Sequence, residues 1–427
     1  MNLICLSIRR AYTLAGWLAI CFLLLCGTAQ AQALPDSLLA AAAEHPAVLR
    51  YQQQWESAAA GSRAAGFLPE PRLGAGYFIQ PIETRVGPQR LRLSLSQAFP
   101  WPGTLAAMRE QSSAMAAEAW FRYRDARAMQ QEKLSLHWES LCAQAQVLVQ
   151  ERAMLSLLQQ IEETLVIRYE AGTVPLSDVL SHRMRQDDAR TSVARIEEEV
   201  QSLWRQVLLL AGLSPNAALP TALVQQELEL LEDSHSPESH PAWQALEARL
   251  MMMQEAESLA RLQGRPQLAA GIDYIITAPR SDMNVPDNGR NALAPTLSLS
   301  LPLFGKKYKA SQEAAAAQSE AVGYAQEALR NDFALRWEQA HTALVNARKT
   351  LALAARQEQE LDRLYDLTMR AFTSDEVPVT RVYALTDQMI YWQKQRVHAR
   401  RDSNRAIRQL QYLQAVDTGT MPHATGR

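Results

Sequence analysis

Along this chain the period of the apolar positions switches between two and roughly 3.6, and it does so in the same order in each half. From Gln89 to Gln97, Leu91, Leu93 and Leu95 alternate with Arg90, Arg92, Ser94 and Ser96. From Thr296 to Leu303, Leu297, Leu299, Leu301 and Leu303 alternate with Ser298, Ser300 and Pro302. Period two over roughly 8 to 10 residues predicts strands with one apolar and one polar face. Leu73, Ala75, Tyr77 and Ile79 form a partner run in the first half, and Leu268, Ala270, Ile272, Tyr274 and Ile276 form one in the second. The segments inside each pair, Pro81 to Pro88 and Ala278 to Ala294, are rich in Pro, Gly, Asn and Asp and read as exposed loops.

Everything else is helical in period. No proline interrupts Thr104 to Ala171, where Leu134, Leu141, Leu148 and Leu155 recur every seven residues, and Lys306 to Thr373 repeats the pattern. Each run is about 100 Å long at 1.5 Å per residue, too long for the core of one globular domain. Returning helices are predicted from Leu176 to Ala211 and from Val379 to Leu413, with further helices from Asp36 to Ala65 and His240 to Gly264 stacked to flank the long ones. Matched positions mark a duplication. His45-Pro46 recurs as His240-Pro241 at a shift of 195, Gly103 and Arg168 as Gly305 and Arg370 at 202, and Pro175 as Pro378 at 203. Two structural repeats, 32–220 and 221–415, are therefore expected, followed by a tail at 416–427. The expected fold class is mainly α, with a strand pair and a long helical hairpin in each repeat.

The number of strands constrains what they can do. An open sheet edge in lipid leaves backbone groups unpaired, and the smallest single-chain membrane barrel has about eight strands. Four strands placed in a membrane must therefore oligomerise, and three copies give an even twelve. On that reading Leu91, Leu93, Leu95, Leu297, Leu299 and Leu301 face lipid. The competing reading is a soluble periplasmic coiled-coil scaffold whose hairpins mediate assembly.

Composition narrows the setting. Arg9 and Arg10 precede an uncharged run from Ala11 to Leu25, and Ala29-Gln30-Ala31 completes the pattern of a cleavable signal peptide at 1–31. Cys5, Cys21 and Cys26 would leave with it, so the exported chain keeps Cys142 and forms no internal disulfide. A formal net charge of -2 offers no footprint for nucleic acid. No later stretch reads as a transmembrane helix, and no motif for a hydrolase, nucleotide-binding loop or paired-cysteine metal site occurs, so no enzyme activity, cofactor or metal site is expected. Met251, Met252 and Met253 point in different directions on a helix and cannot converge on one ion. Glu232, Asp233, His235, Glu238 and His240 lie in a polar connector without ligand spacing and read as a solvated loop.

The turns between the helices carry the most specific sequence. The first reads Arg168-Tyr169-Glu170-Ala171-Gly172-Thr173-Val174-Pro175-Leu176-Ser177-Asp178-Val179-Leu180. Gly172 can end a helix in the left-handed conformation, and Thr173 or Ser177 can cap the next. This R-Y-x-x-G-x-x-x-x-x-D-V-L turn follows strand pairs that end in Ser96-Gln97-Ala98-Phe99-Pro100-Trp101-Pro102-Gly103 and in Leu299-Ser300-Leu301-Pro302-Leu303-Phe304-Gly305. The combination resembles the TolC family of outer-membrane efflux channels over essentially the whole mature chain.

That resemblance implies a homotrimer with a twelve-stranded β-barrel in outer-membrane lipid, continuous with a periplasmic α-helical barrel. It also implies a periplasmic adaptor (membrane fusion protein) and an inner-membrane pump of the resistance-nodulation-division type, with the compact size nearest the heavy-metal branch. The residues it places at the adaptor-docking entrance are Gly172, Thr173, Val174, Leu176, Ser177 and Asp178 on the first tip, and Ser374, Val377, Pro378, Val379 and Thr380 on the second. One departure stands out: Arg381-Val382-Tyr383 replaces a D-V-L found in some members, which leaves Asp178 as the matching acidic tip residue.

Overall fold

The computed structural model describes residues 34–220, 223, 225–229, 237–374 and 376–414. The expected signal peptide, the C-terminal tail and the connector residues Glu232, Asp233 and His235 lie outside them. Seven helices and four strands are described: α1 (Asp36–Ala43), α2 (Pro46–Ala64), β1 (Arg72–Thr84), β2 (Gly87–Phe99), α3 (Thr104–Glu170), α4 (Leu176–Leu210), α5 (Pro241–Gln263), β3 (Gln267–Thr277), β4 (Ala292–Ser300), α6 (Gly305–Thr373) and α7 (Val379–Leu413). The long helices contain 67 and 69 residues, close to the proline-free spans of the sequence.

One predicted helix is split. The run from Asp36 to Ala65 breaks at Glu44-His45, because Pro46 has no N–H to donate and its ring keeps His45 out of the helical region. The equivalent His240 is put to use: it caps α5, its Nδ1 accepting from the Ala242 N–H at 3.1 Å, and its buried ring meets Phe333 edge-on at 4.7 Å.

The chain forms two compact units, each drawn from both sequence repeats. One holds α2, the sheet, α5 and the first parts of α3 and α6. The sheet is antiparallel in the order β1-β2-β3-β4, so the two predicted hairpins also pair with each other through β2 and β3. Directly paired residues share a face. One face collects Leu73, Leu95 and Ile272, then Ala75, Leu93, Tyr274 and Leu293, then Leu297 and Leu299. The other collects Gly74, Ser94 and Asp273, with Arg72, Ser96, Gly271 and Thr296. The apolar face is the exposed one: Leu73, Leu297 and Leu299 are 79, 74 and 58 % exposed, and Leu91 is half-buried. On the polar face Asp273 is buried and ion-paired with Arg92.

Two strand boundaries differ from those expected. β4 is Ala292–Ser300, placing Leu301 and Leu303 beyond its end and Pro295 inside it. Proline is tolerated there because β4 is an edge strand and needs no outward donor. The loop expected from Pro81 to Pro88 contracts to a turn at Arg85-Val86, closed by the Thr84 hydroxyl donating to the Gly87 carbonyl at 2.6 Å. The Ala278–Asn291 connection folds over this turn, with Gly289 N–H donating to the Val86 carbonyl at 2.7 Å and Asn288 bonding both backbone groups of Arg280.

The other unit holds α1, α4, α7 and the remaining lengths of α3 and α6. The predicted heptad seam is its core: Leu134, Leu141 and Leu148 are buried with Trp138, Val147, Ile196, Val200, Trp204 and Val207, and Leu155 packs against them. Cys142 lies in this core, where burial, with a smaller contribution from Glu139, pushes its thiol up to about 12. Buried polar groups join α3 to α7. Asn404 donates to Glu139 at 2.8 Å and to the Gln226 carbonyl at 2.6 Å while accepting from the Leu228 N–H at 3.3 Å, so one amide ties the connector to both helices. Lys394 pairs with buried Glu151, and Arg405 donates to Ser140 at 2.8 Å.

Candidate functional site: the paired hairpin tips

The first tip closes as its glycine predicts. Gly172 has φ of +73°, and the N–H groups of Gly172 and Thr173 donate to the carbonyls of Tyr169 and Arg168 at 2.9 Å each. This satisfies the last carbonyls of α3. The Thr173 hydroxyl also donates to the Arg168 carbonyl, at 3.0 Å, so it ends α3 and does not start α4. Pro175 occupies the N-cap of α4 with no side-chain cap, and Ser177 reaches only the neighbouring Asp178.

Gly172, Thr173, Leu176 and Ser177 are exposed, and Val174 and Asp178 are half-buried. At the second tip Ser374, Pro378 and Thr380 are exposed and Val377 is half-buried, whereas Val379 is buried. The Arg381-Val382-Tyr383 departure also becomes clear: Arg381 is exposed, while Val382 and Tyr383 are core residues.

The two tips share one cluster. Leu158, Ile161 and Leu165 of α3 pack with Phe372 of α6 and with Val379, Val382 and Tyr383 of α7. Around it lies a polar lock that the sequence did not reveal. His182 of α4 is fully buried, with Nε2 2.8 Å from the Leu158 carbonyl and Nδ1 2.5 Å from the Tyr383 hydroxyl. A carbonyl only accepts, so Nε2 carries the proton, and the Tyr383 hydroxyl donates to Nδ1. Burial lowers the imidazole pKa, partly opposed by the Leu158 carbonyl and Glu162, while Arg185 adds to the lowering. Burial also pushes the Tyr383 hydroxyl up to about 12. Both groups are thus held neutral.

Arginines complete the lock. Arg168 donates to the Phe372 carbonyl at 2.6 Å with its guanidinium 4.4 Å from that ring's centroid, and Arg185 makes a two-pronged contact to Asp387 at 2.7 and 3.1 Å while lying over Tyr383. The outer rim of the tips offers small and hydroxyl side chains on a rigid base. Among the described residues of this rim no nucleophile–base pair occurs.

No family model matches the chain, and no curated protein sequence does so either. Solved structures do match. The outer membrane protein VceC of Vibrio cholerae aligns at a TM-score of 0.73 and 16% identity, over 89% of this chain and 96% of that one. The outer-membrane channel OprN gives 0.73 at 15% identity, over 88% and 89%. The CmeC outer membrane channel of Campylobacter jejuni gives 0.71 at 12% identity, over 88% and 84%. At such identities the likeness is one of architecture: long helices and a small antiparallel sheet give this chain the fold of these outer-membrane channels.

Proposed function

We propose that the chain is a TolC-family protein, one of three copies forming the outer-membrane exit duct of a tripartite efflux pump. The observation that carries this reading is the sheet. Its four strands turn an apolar face outward, keep a polar face on which buried Asp273 is paired with exposed Arg92, and leave β1 and β4 as open edges. Lipid tolerates the first property and forbids the last, which three copies pairing edge to edge would remove. The fold shared with outer-membrane channels supports the same assignment.

Conduction would be passive, through a water-filled tube whose periplasmic entrance is the ring of tips, with energy supplied by the inner-membrane pump. No catalytic step is assigned. The adaptor would dock on Gly172, Thr173, Val174, Leu176, Ser177 and Asp178 and on Ser374, Val377, Pro378 and Thr380, with Val379 supporting them from within. Metal cations are the first cargo to test, ahead of drugs and other small molecules.

The decisive variant is Gly172→Trp. A Cβ at Gly172 meets nothing within 4 Å, so the first atom of a side chain there costs the strain of the left-handed backbone, about 1 kcal/mol, without a clash. The expected result is a mutant that still fractionates with detergent-extracted outer membrane, fails to crosslink to a co-expressed periplasmic adaptor, and loses efflux. Normal efflux by the assembled mutant would remove this residue from the docking site. Release of the wild-type protein by a salt wash would favour the soluble scaffold.

A further inference from the structure

The polar face of the sheet presents its charges unevenly. Where the strands pair without interruption, over Arg72 to Tyr77, Leu91 to Phe99, Gln267 to Ile276 and Ala292 to Ser300, the charged residues are Arg72, Arg92 and Asp273. All three stand on this face. Arg72 is level with Ser96, Gly271 and Thr296, Asp273 with Ser94 and Gly74, and Arg92 with Gly76 and Ile275. The two arginines are therefore four residues apart along the strand, about 13 Å at roughly 3.3 Å per residue.

The arginines are the charges that face outward. The Arg92 side chain is 51 % exposed and that of Asp273 6 %, so this pair turns its guanidinium out and keeps its carboxylate beneath. Arg72 is exposed, and its row holds no carboxylate to offset it. The floor around them is bare. A Cβ at Gly271, on the Arg72 row, would sit 2.8 Å from the Leu95 carbonyl oxygen and from the Thr296 hydroxyl, so packing excludes a side chain there. A Cβ at Gly76 would meet nothing within 4 Å; packing does not call for glycine, and its effect is to leave the space beside Arg92 open. The whole chain has a formal net charge of -2, so this face runs against the sign of the molecule.

We propose that the Arg72 and Arg92 side chains, repeated in each copy around the bore, make the duct favour anionic cargo over cations, with carboxylates and phosphates the preferred class. The inference rests on the channel reading, in which the apolar face meets lipid and the polar face lines the bore. Rings of basic side chains select anions in a pore. A guanidinium keeps its charge at every working pH and offers two parallel N–H groups to a carboxylate or phosphate. Selection by the wall acts on whatever the pump delivers, so it sets a condition on a metal cargo. The ion would cross more readily inside an anionic complex than as a bare cation.

The test is the reversal potential of the purified full-length protein in planar bilayers under a potassium chloride gradient. Wild type should pass chloride several-fold more readily than potassium at low salt. The preference should fade as the screening length shrinks from about 30 Å at about 0.01 M to about 3 Å at about 1 M. Arg72→Glu should turn it toward potassium, and Arg72→Gln, which adds no opposite charge, should reduce it part of the way. Arg92→Gln combined with Asp273→Asn keeps the net charge and strands no buried carboxylate, so a smaller loss of chloride preference should follow; an unchanged ratio strikes Arg92 from the proposal. A wild-type channel that prefers potassium, or a chloride preference that both Arg72 variants leave unchanged, overturns the proposal while the duct stands. A protein that inserts and never conducts refutes the duct itself, and the preference for anions falls with it.

Discussion

His182 is a neutral imidazole wedged between a carbonyl that can only accept and a hydroxyl that donates. Burial, with a smaller contribution from Arg185, holds the folded pKa below the ordinary value near 6.5. Just below that pH the unfolded chain therefore binds more protons than the folded one, and the contribution of His182 to stability is lost as pH falls through the window. Melting temperatures of wild type and His182→Gln, measured from pH 8 to pH 5, should converge as pH falls; parallel curves would show that this group does not titrate on unfolding. Buried Glu139 works in the opposite sense, since burial raises its carboxyl and its contribution falls as pH rises from about 4.5, which is why the variant difference, and not the whole curve, isolates the histidine. Tyr383→Phe should cost about 1 to 2 kcal/mol by leaving Nδ1 buried without a donor, read as a lower melting temperature. None of this lock was legible in the sequence. His182 and Tyr383 are 201 residues apart, and their repeat equivalents are Leu385 and Leu180, so the duplication that revealed so much else hides the pair. Gly172 was legible, because a helix ending before proline calls for a left-handed residue. Gly87 was not: φ is +125° and a Cβ would sit 2.0 Å from the Ala278 carbonyl oxygen, a contact made only once the second loop folds across the first turn. Gly87→Ala should therefore loosen the Ala278–Asn291 loop, detected as faster protease nicking there with the helices intact.

Among the elements, the helices were the most readable and the strand ends the least. Apolar period and missing prolines locate α3 and α6 to within a residue or two, because nothing in those spans competes with helix. Strand limits depend on pairing, which a linear pattern does not contain. β4 begins earlier than its leucine alternation because β3 offers partners from Gln267 to Ile275, opposite Ser300 to Ala292. Alternation did foretell the faces. Leu93 pairs with Ala75 and Tyr274 on the apolar side, while Ser94 pairs with Gly74 and Asp273 on the polar side. Leu93→Arg should therefore cost about 2 to 4 kcal/mol if it lies at the bilayer midplane, seen as loss of heat-resistant assembly on a gel. Ser94→Arg should assemble. The reverse outcome would mean that the faces are assigned backwards.

For the whole molecule, the proposed duct would make one chain a third of a ring, and the first check is size. In mild detergent the protein should sediment as a trimer, and a stable solubilised monomer with intact strands would end the barrel reading. The edges that would meet in such a ring are unequal: β1 has 13 residues and β4 has nine. A nine-residue strand tilted across a bilayer just spans its hydrocarbon, so β4 is the gauge of the wall. Four residues of β1 must outrun their neighbour, and bare peptide groups cannot rest among acyl chains. In the proposed ring the surplus would have to stand in water or headgroups, and the shortest strand would set the depth at which the membrane grips the protein.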